Sequence, residues 1–383
     1  MKKKINVCIY GNINDPNEWS GTGFYFLKTL SKLYNSSHGL NLKTNNLGYK
    51  VRRIIWNIYT LFFFKSLGGF QYSFCALNSI WPKINFDNQI IINFFQLFPR
   101  QILNKRSVSR YFYIDFTITQ LFNDYGKPMH LNENILRKII LYETEGYRKS
   151  KHIFTHSNYA KESLISDYNI NPKHVSVVVP GANLEGDLRS NYVPINSSER
   201  IKIIFIGKDL YRKGLDRMLK AIKIINQKKI ICELLVIGQY ICNDKRLNQF
   251  SKDRDPYVIE KGFIDKSKDE LKLNQLILNS DLGILLSRNE AGGMVLREYG
   301  IRGLPTIVTD VGGIKEHVNI DSSIIIEGDT ENEIINCLIA KIKELYFNKE
   351  YLNTLKVKAK KNIKKYEWQY SVENIINKIN EIE

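Results

Sequence analysis

Residues 289–317 read NEAGGMVLREYGIRGLPTIVTDVGGIKEH; the apolar run LGILLS comes just before them, and PTIVTD lies within them. A buried strand, a glycine turn, a helix and a second strand make one βαβ unit, the repeating element of a parallel sheet. Gly292 and Gly293 let the backbone approach a ligand with no Cβ in the way. The helix start that follows, over Met294 and Val295, presents unpaired N–H groups to an anion. Glu290 stands before the turn and Glu298 two helical turns further on, so one carboxylate reaches the far end of a bound anion and the other its near side. Acceptor-only groups flanking an anion site suit a ligand that is anionic in its middle and rich in hydroxyls at both ends. A nucleotide diphosphate sugar has that layout.

The same alternation extends in both directions. Runs IKIIFIG, CELLVIG and YVIEKGF precede this unit, each followed by a helical or loop segment. Earlier still, INVCIY (Ile5–Tyr10) leads through the loop GNINDPNEWSGTG into the helical stretch FYFLKTLSKLY, and FDNQIIINFF, RYFYIDFT, KHIFTHS and VSVVVPGAN read as further strands. Ser157 is the expected N-cap of a helix over 158–168. The polar stretch LEGDLRSNYVPINSSER after Asn183 has no periodicity and reads as a linker. WQYSVENIINKINEI at the end is an amphipathic helix placed to return to the first half. Two strand–helix series give two Rossmann-like halves.

Composition agrees with two cores. The chain has 383 residues, 43% of them hydrophobic, and single cores stop growing at roughly 250–300 residues. Five scattered cysteines (Cys8, Cys75, Cys232, Cys242, Cys337), with no CxxC, read as reduced residues of a cytoplasmic protein. MKKK before INVCIY is too quickly interrupted by Gly11-Asn12 to be a signal peptide. No apolar run approaches the ~20 residues needed to cross a bilayer. A net charge of +17 favours an anionic partner, although a lysine-, isoleucine- and asparagine-rich bias produces the same charge with no selected partner.

In IFIGKDLYRKGLDRMLKAI (204–222) the cations Lys208, Arg212 and Lys213 fall in a strand-to-helix turn, where ligands of open α/β sheets bind. For any single one of them a solvated basic loop is the simpler explanation; their coincidence with the turn is what points to phosphate.

GKDLYRKG (207–214), HSNYAKESLISDYNINPKHVSVVVPGAN (156–183), GFID (262–265) and NEAGGMVLREYGIRGLPTIVTDVGGIKEHV (289–318) together resemble the retaining GT-B glycosyltransferases of family 4. The resemblance covers most of the chain, strongly from about His152 to His317 and weakly in the first half. It implies an α/β GT-B architecture: two Rossmann-like domains with parallel sheets facing across a cleft, an acceptor-binding domain over 1–190, a nucleotide-sugar-binding domain over 191–365 and a helix over 366–383 crossing back. The implied reaction transfers a sugar from a nucleotide diphosphate sugar to a hydroxyl of a saccharide or lipid-linked saccharide with retention of configuration. The implied route is front-face, with neither cofactor nor metal.

By position, Lys208 and Lys213 are implied to hold the donor diphosphate, Glu290 the transferred sugar and Glu298 the ribose. The amides of Gly292, Gly293, Met294 and Val295 are implied for the phosphates, Gly21 and Gly23 for the neighbourhood of donor phosphate and acceptor, and the backbone near Phe263 and Ile264 for the base. Many members carry Arg at the position of Lys208. The usual EGFG or EGPG is EAGG here, so Ala291-Gly292 departs beside the sugar and leaves its identity open. Asp115 stands where many members carry a His-Asp pair, and it either binds a hydroxyl or caps the next turn. His156 and His317 fall nearest the expected cleft, with packing the simpler role for each.

Three other readings stand beside this one. A nucleotide-sugar epimerase or a sugar phosphorylase would share the architecture. A nucleic-acid-binding module would need a clustered basic face with stacking aromatics, whereas the cations here sit at strand ends, so no nucleic acid is expected. Asp253-Arg254-Asp255 formally spells a metal-binding DxD, but no strand leads into it, and a solvated turn is the better reading. YKVRRIIWNIYTLFFFKSLGG (49–69) interleaves cations with aromatics: either an interfacial helix contacting an anionic membrane at the inner face of the cell, or a buried helix with cationic ends.

Overall fold

The computed structural model describes residues 3–42, 47–126, 131–185, 200–227, 229, 231–252, 255–361 and 363–383. Most of the linker stretch and two of the three DxD residues, Asp253 and Arg254, lie outside these. The chain divides into two compact units, one of Met1–Val179 with Ser371–Glu383, the other of Pro180–Tyr370.

In the first unit, β1 (Ile5–Ile9), β2 (Ser37–Asn41), β3 (Ile90–Asn93), β4 (Ser109–Ile114), β5 (His152–Thr155) and β6 (Val175–Val177) form one sheet. Its order is β2-β1-β3-β4-β5-β6, and every pairing is parallel. Strands covered by helices on both faces read as unbroken apolar runs, and β1 and β3 are buried along their whole length. Strand β2 (SHGLN) escaped the sequence reading because it is an edge strand: only Leu40 is buried, so neither an apolar run nor an alternation marks it.

In the second unit, β7 (Ile201–Gly207), β8 (Cys232–Gly238), β9 (Val258–Gly262), β10 (Leu282–Leu285), β11 (Thr306–Thr309) and β12 (Ser323–Ile326) are ordered β12-β11-β10-β7-β8-β9, again all parallel. Strand β12 also went unread: four residues between a short 3-10 turn and Gly328 are too few for periodicity to separate strand from helix. Two parallel six-stranded sheets with helices give the expected α/β, GT-B-type architecture. In each sheet the winding direction reverses once, between β1 and β3 and between β7 and β10, and such reversals open a crevice at the strands' carboxyl ends.

The helix Trp368–Ile382 begins with residues of the second unit and continues in the first, where Val372, Ile375, Ile376 and Ile379 are buried and Ser371 Oγ donates to the Val179 carbonyl at 2.7 Å. The helix Leu47–Phe64 corrects the buried-helix alternative. Only Tyr49 and Thr60 are buried in it, and most of its large apolar side chains are exposed.

Candidate functional site

Strands β7 and β10 are neighbours, with Ile204 opposite Gly283. Their outgoing loops, 208–214 and 286–293, therefore emerge side by side at the reversal point of the second sheet. Gly214 makes the approach of the loops tight: its φ is +76°, and a Cβ there would lie 1.9 Å from the Leu286 carbonyl oxygen. The Arg288 N–H donates to the Arg212 carbonyl at 2.8 Å, and Arg217 Nη1 donates to the Leu286 carbonyl at 2.7 Å.

Behind the loops lies an arginine–carboxylate network that the sequence reading missed. Arg288 grips Asp216 through two bonds of 2.9 Å and reaches Glu331 at 2.9 Å, with its guanidinium 4.0 Å from the Tyr211 ring centroid. Arg217 takes the same Glu331 at 3.0 and 2.6 Å. The partners are far apart in sequence, so no local pattern announces them. The arrangement fixes the two loops before any ligand arrives.

The structure sorts the cations of GKDLYRKG into two kinds. Arg212 is engaged: Nη1 donates to Glu290 at 3.1 Å and to the Asn289 carbonyl at 2.7 Å, and Nε lies 3.3 Å from Asp209. Expected as a donor-binding cation, it is held here by a neighbouring carboxylate. Lys208 and Lys213 have no carboxylate at ion-pair distance among the described residues. Lys208 is exposed, with Nζ 5.1 Å from the centroid of the exposed Phe263 ring. Lys213 is half-buried and folds back over the end of β7, where a Cβ on Gly207 would meet its Cδ at 2.5 Å. Burial pulls Lys213 below the ordinary lysine value, the Glu290 and Glu298 carboxylates pull against that shift, and Arg212 adds to it.

Glu290 and Glu298 are both buried. Ser287 Oγ donates to Glu290 at 3.2 Å beside Arg212. Glu298 lies inside the helix Met294–Ile301 and is bonded to Lys266, which also donates to the Asn183 carbonyl at 3.2 Å. Lys266 was missed; its only sequence signal is its place directly after GFID. Gly293 caps the helix with φ +75°, leaving the first-turn amides of Met294 and Val295 without intrahelical acceptors. A Cβ on Gly292 would sit 2.1 Å from His317 Nε2, so the buried His317 ring packs directly on that glycine. Ile264 and Val295 belong to one apolar cluster.

In the first unit the loop after β1 is tightly built. Glu18 accepts from the Asn12 N–H at 2.9 Å and Trp19 Nε1 donates to the Tyr10 carbonyl at 3.0 Å, while Trp19 and Ser20 are held at φ +49° and +58°, a strained conformation for side-chain-bearing residues. Gly21 caps the helix Thr22–Leu33 with φ +91°. Gly23 lets that helix sit on β1, since a Cβ there would be 2.6 Å from Ile9 Cγ2. Asp115 accepts from the Phe116 N–H at 3.0 Å, whereas the following helix is capped by Thr117 through a capping box with Gln120. His156 is a packing residue: its ring lies 4.4 Å from that of Tyr113, and burial lowers its pKa to about 3. Asp255, the described residue of the DxD, accepts from the Tyr257 N–H at 2.9 Å, as a turn residue does.

Two doubly wound parallel sheets, with loops at the reversal point of the second that carry an anion-ready helix start and two lysines, define an α/β chain of GT-B-type architecture with a candidate anion site. Residues 193–362 match the model of the glycosyl transferases group 1 family. It is similar to D-inositol 3-phosphate glycosyltransferase of Corynebacterium kroppenstedtii, 24% identical over 188 residues that make up 44% of this chain and 40% of that protein. The chain spans about half or less of the length of the curated relatives it matches. Among solved structures it resembles WaaG, a glycosyltransferase involved in lipopolysaccharide biosynthesis, at 14% identity and TM-score 0.63 over 98% of this chain and 99% of that one. It also resembles HepE from Anabaena in complex with UDP, at 13% identity and TM-score 0.64 over 99% and 100%. At such identities these two likenesses establish the fold.

Proposed function

We propose that the chain is a retaining glycosyltransferase of family 4 that moves a sugar from a nucleotide diphosphate sugar to an acceptor hydroxyl, in surface polysaccharide or glycolipid assembly. The observation that carries this is Lys213, a half-buried cation with no ion-pair partner among the described residues, felt electrostatically by both Glu290 and Glu298. A desolvated cation that these carboxylates offset only in part raises the energy of the empty protein, and a phosphate would relieve that cost. In this reading Lys208 and Lys213 meet the diphosphate with the amides of Gly292, Gly293, Met294 and Val295. Glu298 takes the ribose, Glu290 the transferred sugar, and the backbone near Phe263 and Ile264 the base. Asp115, Gly21 and Gly23 are assigned to the first unit's share of acceptor and donor binding.

As the glycosidic bond breaks, negative charge gathers on the leaving phosphate, so cations and amides fixed beforehand stabilise the transition state more than the ground state. Charge neutralisation by these groups leaves no step that requires a metal. HepE, crystallised with UDP and with UDP and glucose, makes uridine donors the first to try. A thermal-shift panel of nucleotide diphosphate sugars tests donor binding, since a ligand at a hundred times its Kd adds about 2.7 kcal/mol. Product analysis with the stabilising donor tests the reaction. Turnover without acceptor would indicate an epimerase, and turnover that needs inorganic phosphate a phosphorylase; either result overturns the transferase.

A further inference from the structure

The helix Leu47–Phe64 turns its apolar side outward. Leu47, Val51, Ile54, Ile55, Ile58, Leu61 and Phe62 are all exposed, Phe62 at 80% and Leu47 at 77%, and at 3.6 residues per turn they fall within an arc of about 120°. The opposite edge fastens the helix to the first unit. Trp56 Nε1 donates to the Gly68 carbonyl at 3.0 Å, and the Tyr49 and Trp56 rings lie 5.0 and 6.2 Å from that of Phe70. With those aromatics seated, the helix cannot rotate its apolar arc inward. Lys50 borders the arc on one side and Arg52 on the other, and Arg53 and Lys65 are exposed nearby. Residues 47–65 contain no acidic side chain.

We propose that this helix docks the first unit on an anionic lipid surface, lying flat with its apolar arc in the boundary between headgroups and acyl chains. Exposed side chains of this size in one contiguous arc mark an interaction surface, and the flanking charges select its partner. An anionic bilayer is apolar beneath and negative around, the complement of this arc and its cationic rims. In a second copy seated on this face, residues 47–65 would offer no carboxylate to pair with Lys50, Arg52 and Arg53. The helix lies on the membrane rather than through it, because no described helix is long and apolar enough to cross one. This inference is independent of the proposed reaction.

The full chain is sedimented with phosphatidylcholine vesicles and with vesicles that also contain phosphatidylglycerol, at low and raised salt. Velocity sedimentation without lipid monitors self-association. The protein is expected to pellet with the anionic vesicles and to be released by salt. Ile58→Ser with Phe62→Ser should abolish most of the binding. Arg52→Ala and Arg53→Ala should each weaken it about fivefold, from roughly 1 kcal/mol per basic residue at an anionic surface. All four positions are exposed, and circular dichroism confirms that the variants fold. Failure to pellet overturns the proposal, as does undiminished pelleting of the Ile58/Phe62 variant. A lipid-free dimer abolished by that same variant would assign the arc to a second copy instead.

Discussion

Arg212 Nη1 stands 3.1 Å from the Glu290 carboxylate and 2.7 Å from the Asn289 carbonyl, binding the loop after β7 to the loop after β10. Glu290 is therefore presented by a guanidinium rather than left to solvent. Arg212→Ala is expected to destabilise the protein by about 1.5–3 kcal/mol, the range for hydrogen bonds to charged groups. The share owed to Glu290 should vanish in a Glu290→Gln background, while the bonds to the Asn289 carbonyl and Asp209 persist. Urea denaturation of the two single variants and the double variant measures the coupling; simple additivity would show that the pair is incidental.

Lys213 yields a prediction in which activity and stability part company. Lys213→Ala should lose about 2–3 kcal/mol of transition-state stabilisation, roughly a hundredfold in kcat/KM, with no loss of folding stability. The pH dependence follows from burial, which lowers its pKa in the folded protein below the ordinary 10.5. The unfolded chain then holds this proton to higher pH than the native one. As pH rises from the folded value towards 10.5, the native protein sheds the cost of the buried charge and gains stability relative to Lys213→Ala. Over the same window the affinity for a nucleoside diphosphate should fall. Calorimetric titration with UDP across the alkaline range, in wild type and variant, would expose the error if both curves ran parallel.

Glu143 is a buried acid with no counterpart in the sequence reading. It accepts from the Ile118 N–H at 2.9 Å and the Tyr147 hydroxyl at 2.7 Å and is bonded to Tyr168, yet burial raises its pKa to about 8. The raised value means that the stability contribution is complete below the unfolded pKa near 4.5 and is lost as pH climbs to about 8. The loss is on the order of 5 kcal/mol. Glu143→Gln imitates the protonated form and should flatten that dependence. Denaturation midpoints at pH 5.5 and 8.5 decide it, since an equal pH response in both proteins would mean that Glu143 does not titrate in this range.

The boundary between what could be read and what could not follows the range of the interactions. Strands β7, β8 and β10 are buried on both faces and announce themselves as apolar runs, whereas β2 pairs on one side only and is mostly polar. Glu290, Glu298 and the glycines between them fall within one local pattern, so their association is visible in order along the chain. Lys266, which bonds Glu298, and Arg288, which ties Asp216 to Glu331, belong to contacts spanning 32 to 72 residues of sequence. The helix Leu47–Phe64 shows the converse: its amphipathic pattern is plain, but periodicity gives the angle between its faces and not which face meets the core.

By itself, the sequence determined the βαβ grammar, the division into two Rossmann-like series and the Glu290–Glu298 stretch opening on a glycine-capped helix, because burial period, turn chemistry and motif spacing are local properties. Only the tertiary structure decided that Arg212 is held by Glu290 while Lys208 and Lys213 are left without ion-pair partners among the described residues. The three cations are near-identical neighbours in sequence. Their difference arises from β7 and β10 being adjacent in the sheet, which brings one carboxylate within reach of one of them and no other.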